Sequence, residues 1–140
     1  MELKLLAGGL RAAGKPCVAD LVLAEQPDMD SDRLVELFVA HGEAGARRLI
    51  CEAIEAVGAR VTELGNALEE GRFDAMVDLT DEVYTEAARA GLLSCARISV
   101  DLRLCAQAGN LAASAAVLHR LARHGSALAR QSWSFQDLSS

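Results

Sequence analysis

The sequence predicts an all-α protein, an antiparallel four-helix bundle with a short N-terminal helical segment. Three observations lead there. Apolar residues recur at alternating spacings of three and four from Ser31 to Leu128, the period of one face of a helix. Aromatic residues make up only 4% and proline is limited to Pro16 and Pro27, whereas a β-sandwich needs more β-branched and aromatic residues and more turn signals. The breaks between periodic stretches are short, which favours antiparallel neighbours and an up-down arrangement. A chain of 140 residues has room for one domain with a substantial core.

Taken in order, residues 1–30 form an extension. Leu3, Leu5, Leu6 and Leu10 suit a short helix ending at the glycines and Lys15-Pro16, and Val18 to Leu23 suits a second short helix or an extended segment. Glu2, Lys4 and two glycines make Met1 to Leu10 too polar and too short to cross a membrane. Pro27-Asp28-Met29-Asp30-Ser31 breaks the chain, and Asp30 or Ser31 caps a helix with acidic Asp32 in its first turn. That helix passes through Leu34, Leu37 and Phe38 until Gly42 and Gly45 loosen or end it.

From about Ala46 to Glu70 the stripe Ile50, Ile54, Val57, Val61, Leu64 and Leu68 is the seam of a long packed helix. Glu69-Glu70-Gly71-Arg72 is a tight turn, and Ala90-Gly91 ends the helix that follows. The next helix has two apolar faces, one of Leu93, Ala96, Val100 and Leu104 and one of Cys95, Ile98, Leu102 and Cys105, so it is expected to be heavily buried. Ala108-Gly109-Asn110 turns the chain again. Leu111, Ala115, Leu118 and Ala122 mark the closing helix. The bundle spans residues 31–130, and a tail over 131–140 holds Trp133 and Phe135, which can dock onto it. The expected core comprises Ile50, Ile54, Val57, Val61, Leu64, Val77, Val83, Val100, Leu104 and Leu118.

A net charge of -6 and a pI near 5.0 argue against a nucleic-acid surface, which requires a basic stripe. Cys17, Cys51, Cys95 and Cys105 form no CxxC pair and each sits among apolar residues, as buried thiols do. With no signal segment recognised, the reading is a reduced cytoplasmic protein.

The most informative stretch is Phe73 to Ala87. Phe73, Val77, Thr80, Tyr84 and Ala87 lie at helical spacing with Met76, Leu79 and Val83 beside them, and Asp74, Asp78, Asp81 and Thr85 form an opposing polar stripe. Thr80-Asp81-Glu82-Val83-Tyr84-Thr85-Glu86-Ala87 resembles the Ala-His-x-Leu-Lys-Gly-x-Ala segment of histidine-phosphotransfer (HPt) domains. The resemblance extends over roughly Ser31 to Leu128 and takes in Leu34 to Phe38, Ala67 to Phe73, Ala90-Gly91-Leu92 and the hairpin from Leu102 to Leu121.

The family implies phosphorelay work, in which an exposed histidine exchanges a phosphoryl group with an aspartate on a receiver domain. That chemistry needs an imidazole nucleophile, a nearby cation and a small residue one turn on. Here Asp81, Tyr84 and Thr85 replace the histidine, lysine and glycine, and Asp74, Asp78, Glu82 and Glu86 add negative charge. The resemblance therefore implies a degenerate member that transfers no phosphate. Such a chain would be a binding module that uses Asp78, Asp81, Glu82 and Thr85 to hold a receiver domain or a histidine kinase.

Two alternatives come from other classes. A working phosphotransferase would use His119, which has Arg123 at i+4, or His41, which has Gly45 at i+4. For both, and for His124 near a helix C-terminus, an ordinary surface or boundary histidine is the commoner case. A helical homo-oligomerising protein unrelated to signalling would use the N-terminal leucines and the Trp133/Phe135 end to form a homodimer. No cofactor is expected. Asp74, Asp78 and Asp81 share a face, but ligands from one helix rarely enclose a hard ion, so a solvated acidic face is expected and no metal site. His119 and His124 point to different faces and make no metal pair. No membrane and no nucleic-acid partner is expected.

Overall fold

The computed structural model describes the backbone of residues 29–139 and the side chains of 29–131. It is an all-α four-helix bundle: α1 (Ser31–Glu69), α2 (Phe73–Arg89), α3 (Leu93–Gln107) and α4 (Leu111–Ser139). The helices pack in cyclic order, α1 on α2, α2 on α3, α3 on α4 and α4 on α1. The short N-terminal helices expected within 1–28 and the side chains of Trp133 and Phe135 lie outside the described residues. α4 itself runs through Ser139.

Local chemistry sets these boundaries. The Asp30 side chain accepts a hydrogen bond from the Arg33 backbone N–H at 3.2 Å, capping α1. Gly42 then interrupts α1 with φ 75° and ψ 173°, a conformation that a β-carbon would strain. Ser31 to His41 is thereby a first segment set at an angle to the long second one. Gly45 stays within the helix and serves packing, because a β-carbon there would stand 3.0 Å from the β-carbon of His41.

Each of the three later turns is built in the same way. A glycine at positive φ (Gly71, Gly91, Gly109) donates to a carbonyl in the last turn of the helix before it, and the next residue donates to the carbonyl one position earlier. For the second turn these bonds are Gly91 N–H to Ala88 O at 3.2 Å and Leu92 N–H to Ala87 O at 2.8 Å. This Schellman pattern satisfies carbonyls that the helix end leaves open. At the third turn Asn110 also caps the start of α4, its side-chain oxygen accepting from the Ala113 N–H at 3.0 Å.

The Gly91 turn has a second role. Met29 pairs with Leu92 in an antiparallel bridge, the Asp30 N–H donates to Gly91 O at 2.9 Å, and Arg33 Nε donates to Arg89 O at 2.8 Å. The start of α1 is thus tied to the α2–α3 turn, with Met29, Leu34, Leu37 and Leu92 buried beneath.

The core holds Ile50, Ile54, Val57, Leu64, Val83 and Leu118 as expected, with Val61 and Val77 partly buried at its edge. Two expected members are misplaced. Val100 and Leu104 are 44% and 60% exposed, and α3 buries Cys95, Ile98, Leu102 and Ala106 instead. Only one of its two apolar faces can point at the bundle axis, and the neighbours on either side choose the Ile98/Leu102 face. On α2 the buried stripe is Met76, Thr80, Val83 and Ala87, which leaves Tyr84 48% exposed. Two buried hydroxyls bond within their own helices, Thr80 Oγ1 to Val77 O at 2.7 Å and Ser99 Oγ to Ala96 O at 2.6 Å, so they carry no desolvation debt.

Two stability outcomes follow. Ile54→Asp places an unpaired charge in the core and is expected to cost on the order of 3 kcal/mol or more, whereas Val100→Asp is expected to stay within about 0.5 kcal/mol of the parent; urea unfolding of both variants measures the contrast. Gly91→Ala forces a β-carbon to 3.3 Å from Asp30 O at φ 75°. It is expected to lower stability by about 1–2 kcal/mol from the backbone conformation alone, and thermal melting of this variant against a Gly58→Ala control checks it.

Candidate functional site

α2 is a 17-residue helix whose centre is Asp81. Burial of Met76, Thr80, Val83 and Ala87 turns the opposite side to solvent, so Asp74, Asp78, Asp81 and Thr85 are all exposed. Val83, two residues on from Asp81, is completely buried. The Thr85 hydroxyl donates to Asp81 O at 3.0 Å, an i to i−4 bond that keeps this side chain against its own helix.

A cation does neighbour Asp81, supplied by a different helix from the one that carries Tyr84 at the lysine position. Arg103, from the antiparallel helix α3, places Nη1 3.1 Å from Asp81 Oδ1. Chain distance hid this partner, since twenty-two positions separate the two residues in the sequence and only the α2–α3 packing joins them. Glu82 looks the other way, toward α1, where Arg60 Nε lies 3.4 Å from its carboxylate. Arg60 also bonds Glu63 at 2.7 Å. The hydrogen bond that Arg60 donates to Glu63 and the charge of Glu82 raise the already high pKa of this guanidinium. It stays cationic across the physiological range.

A third pair, Arg120 with Asp101 at 2.8 Å, bridges α4 and α3. Among the described residues, an interhelical ion pair at the surface thus joins α1 to α2, α2 to α3 and α3 to α4. Such pairs are individually worth about 0–1 kcal/mol in high dielectric, so they trim the surface without holding the fold.

The sites named from the sequence separate accordingly. Asp78, Asp81 and Thr85 share the outer face of α2, whereas Glu82 is drawn to the α1 side. Asp74 and Asp78 line an open groove of about 610 Å³ between the start of α2 and the end of α3, together with Phe73, Val77, Ala106 and Gln107. His41 is exposed at the Gly42 break, and His119 is exposed on α4 with Arg123. These two histidines lie on different helices from Asp81. Among the described residues no three His, Cys, Asp or Glu side chains are grouped to hold a metal ion.

Chemically, the centre of the α2 face offers a carboxylate already bonded to a guanidinium. It can accept and donate hydrogen bonds to a docked surface, and it presents no imidazole nucleophile. Arg103 is the residue that sequence reasoning missed, because its pairing depends on the register of α2 against α3. Comparison with known proteins gives no match to a family model, a curated protein or a solved structure.

The Asp81–Arg103 pair is expected to contribute little to folding. A double-mutant cycle of Asp81→Ala and Arg103→Ala by urea unfolding should return a coupling of about 0.2–1 kcal/mol, shrinking as salt is raised.

Proposed function

We propose that the chain is a non-catalytic, HPt-like binding module that docks receiver domains or histidine kinases and so modulates a two-component phosphorelay. The observation that carries this reading is Asp81. It sits exposed at the midpoint of α2 on a four-helix bundle, at the position where the resemblance calls for the phosphoacceptor histidine.

The residues that would have to change between an active and an inactive member are all on the surface. Asp81, Tyr84 and Thr85 are exposed, whereas Thr80, Val83 and Ala87 between and beside them are buried. Loss of the chemistry is therefore compatible with keeping the scaffold. A carboxylate is a poorer nucleophile than imidazole and repels an incoming phosphoryl dianion. Arg103 satisfies part of that charge, so a partner can pack over the face without leaving Asp81 unpaired. The reading places the protein in a reducing cytoplasm, in keeping with Cys51, Cys95 and Cys105 remaining thiols. No helix among the described residues is long and apolar enough to cross a membrane.

Incubation with phosphorylated receiver domains tests the proposal. The native chain is expected to acquire no phosphate while still binding unphosphorylated receivers. The combined Asp81→His, Tyr84→Lys and Thr85→Gly variant is expected to gain measurable transfer. Acid-labile, alkali-stable phosphate on the native chain would refute the reading and point to His119 or His41.

A further inference from the structure

We propose that the outer face of α2 and α3 receives an amphipathic helix of a partner protein, one that ends in basic side chains. The inference rests on the reading of this face as a docking surface and specifies the chemistry that covers it.

The Asp81–Arg103 pair marks which residues of antiparallel α2 and α3 stand level. One turn on along α2 is Tyr84, and one turn back along α3 is Val100, so the two stand level on the same side of the seam. Leu104 follows Val100 at i+4. All three are large apolar side chains turned to water, at 48%, 44% and 60% exposure. In the other direction the seam opens into the groove lined by Phe73 and Val77. From Asp74 to Tyr84 the face runs ten residues of α2, about 15 Å, which is the length of roughly three helical turns. Anchors at i, i+3 or i+4, and i+7 on a partner helix match that span.

Charge then orients the occupant. Around the bundle Glu82 pairs with Arg60, Asp101 with Arg120 and Glu86 with Arg89. Asp74 and Asp78, which line the groove, make no ion pair among the described residues. A neutral or acidic helix laid over the groove would strip water from both carboxylates with nothing in return. A lysine or arginine at that end compensates them, and the net charge of -6 steers such a partner inward. Val35 and Val39 are also exposed, but nothing among the described residues shows what covers them.

Two synthetic helical peptides of three to four turns test this, alike in apolar stripe and differing only in a Lys-Arg or a Glu-Glu end facing the groove. Each is titrated into the isotope-labelled full chain, with amide shifts mapped and affinities measured by fluorescence anisotropy. The basic peptide is expected to bind about tenfold tighter than the acidic one, shifting amides of residues 74–84 and 100–107. Asp74→Asn with Asp78→Asn should remove that preference, and Leu104→Ser should weaken both peptides; circular dichroism verifies that each variant is folded. Equal affinities, absence of binding, or shifts centred on Val35 and Val39 would each overturn the proposal. A chain that takes the basic peptide but no receiver domain keeps this inference and loses the phosphorelay reading, and the reverse result separates the two in the opposite sense.

Discussion

The architecture depends on three helix reversals, each completed in three residues: 70–72, 90–92 and 108–110. A chain that ends one helix and begins another within that distance must return alongside itself. The Schellman hydrogen bonds at Gly71, Gly91 and Gly109 make the reversal possible without stranding carbonyls at the helix ends. From this follow the cyclic order of the helices and the register that faces Asp81 with Arg103. The middle reversal also receives the start of α1 through Met29, Asp30 and Arg33, so one turn organises both the bundle and the element that precedes it.

Stability and surface chemistry are separated in this molecule. The interior is mainly aliphatic and sulfur-containing; of its three buried hydroxyls, Thr80 and Ser99 find acceptors within their own helices and Ser114 has none among the described residues. The interhelical ion pairs, by contrast, are exposed and individually weak. Positions 81, 84 and 85 can therefore vary in chemistry with little effect on folding. A fold of this kind carries function in surface sites that are replaceable.

The α2 face combines a neutralised centre with two distinct flanks. Tyr84 and Val100 lie to one side of the Asp81–Arg103 pair, and Leu104 and the acid-lined groove lie to the other. A surface graded in this way has a direction as well as a location. Apolar area supplies binding free energy, while charge complementarity contributes mainly orientation and rate of encounter.

By itself the sequence determined the helical class, the approximate start of each helix, a cap at Asp30 or Ser31 and the three glycine turns, because all of these rest on interactions within a few residues; it ended the last helix near residue 130, whereas α4 runs through Ser139. It also exposed Asp81 and buried Val83, since a single apolar stripe on α2 admits one orientation at that level. It placed Tyr84 too far inward, because Tyr84 borders the stripe and burial at a border depends on how closely the next helix approaches. For α3 the periodicity offered two apolar faces of similar strength, Val100/Leu104 and Ile98/Leu102. Only the tertiary structure decided between them, because α2 and α4 together leave room for one face at the axis. The Arg103 partner of Asp81 was likewise decided by packing: the pairing belongs to the α2–α3 register, and no local pattern encodes which residues of two antiparallel helices stand opposite each other.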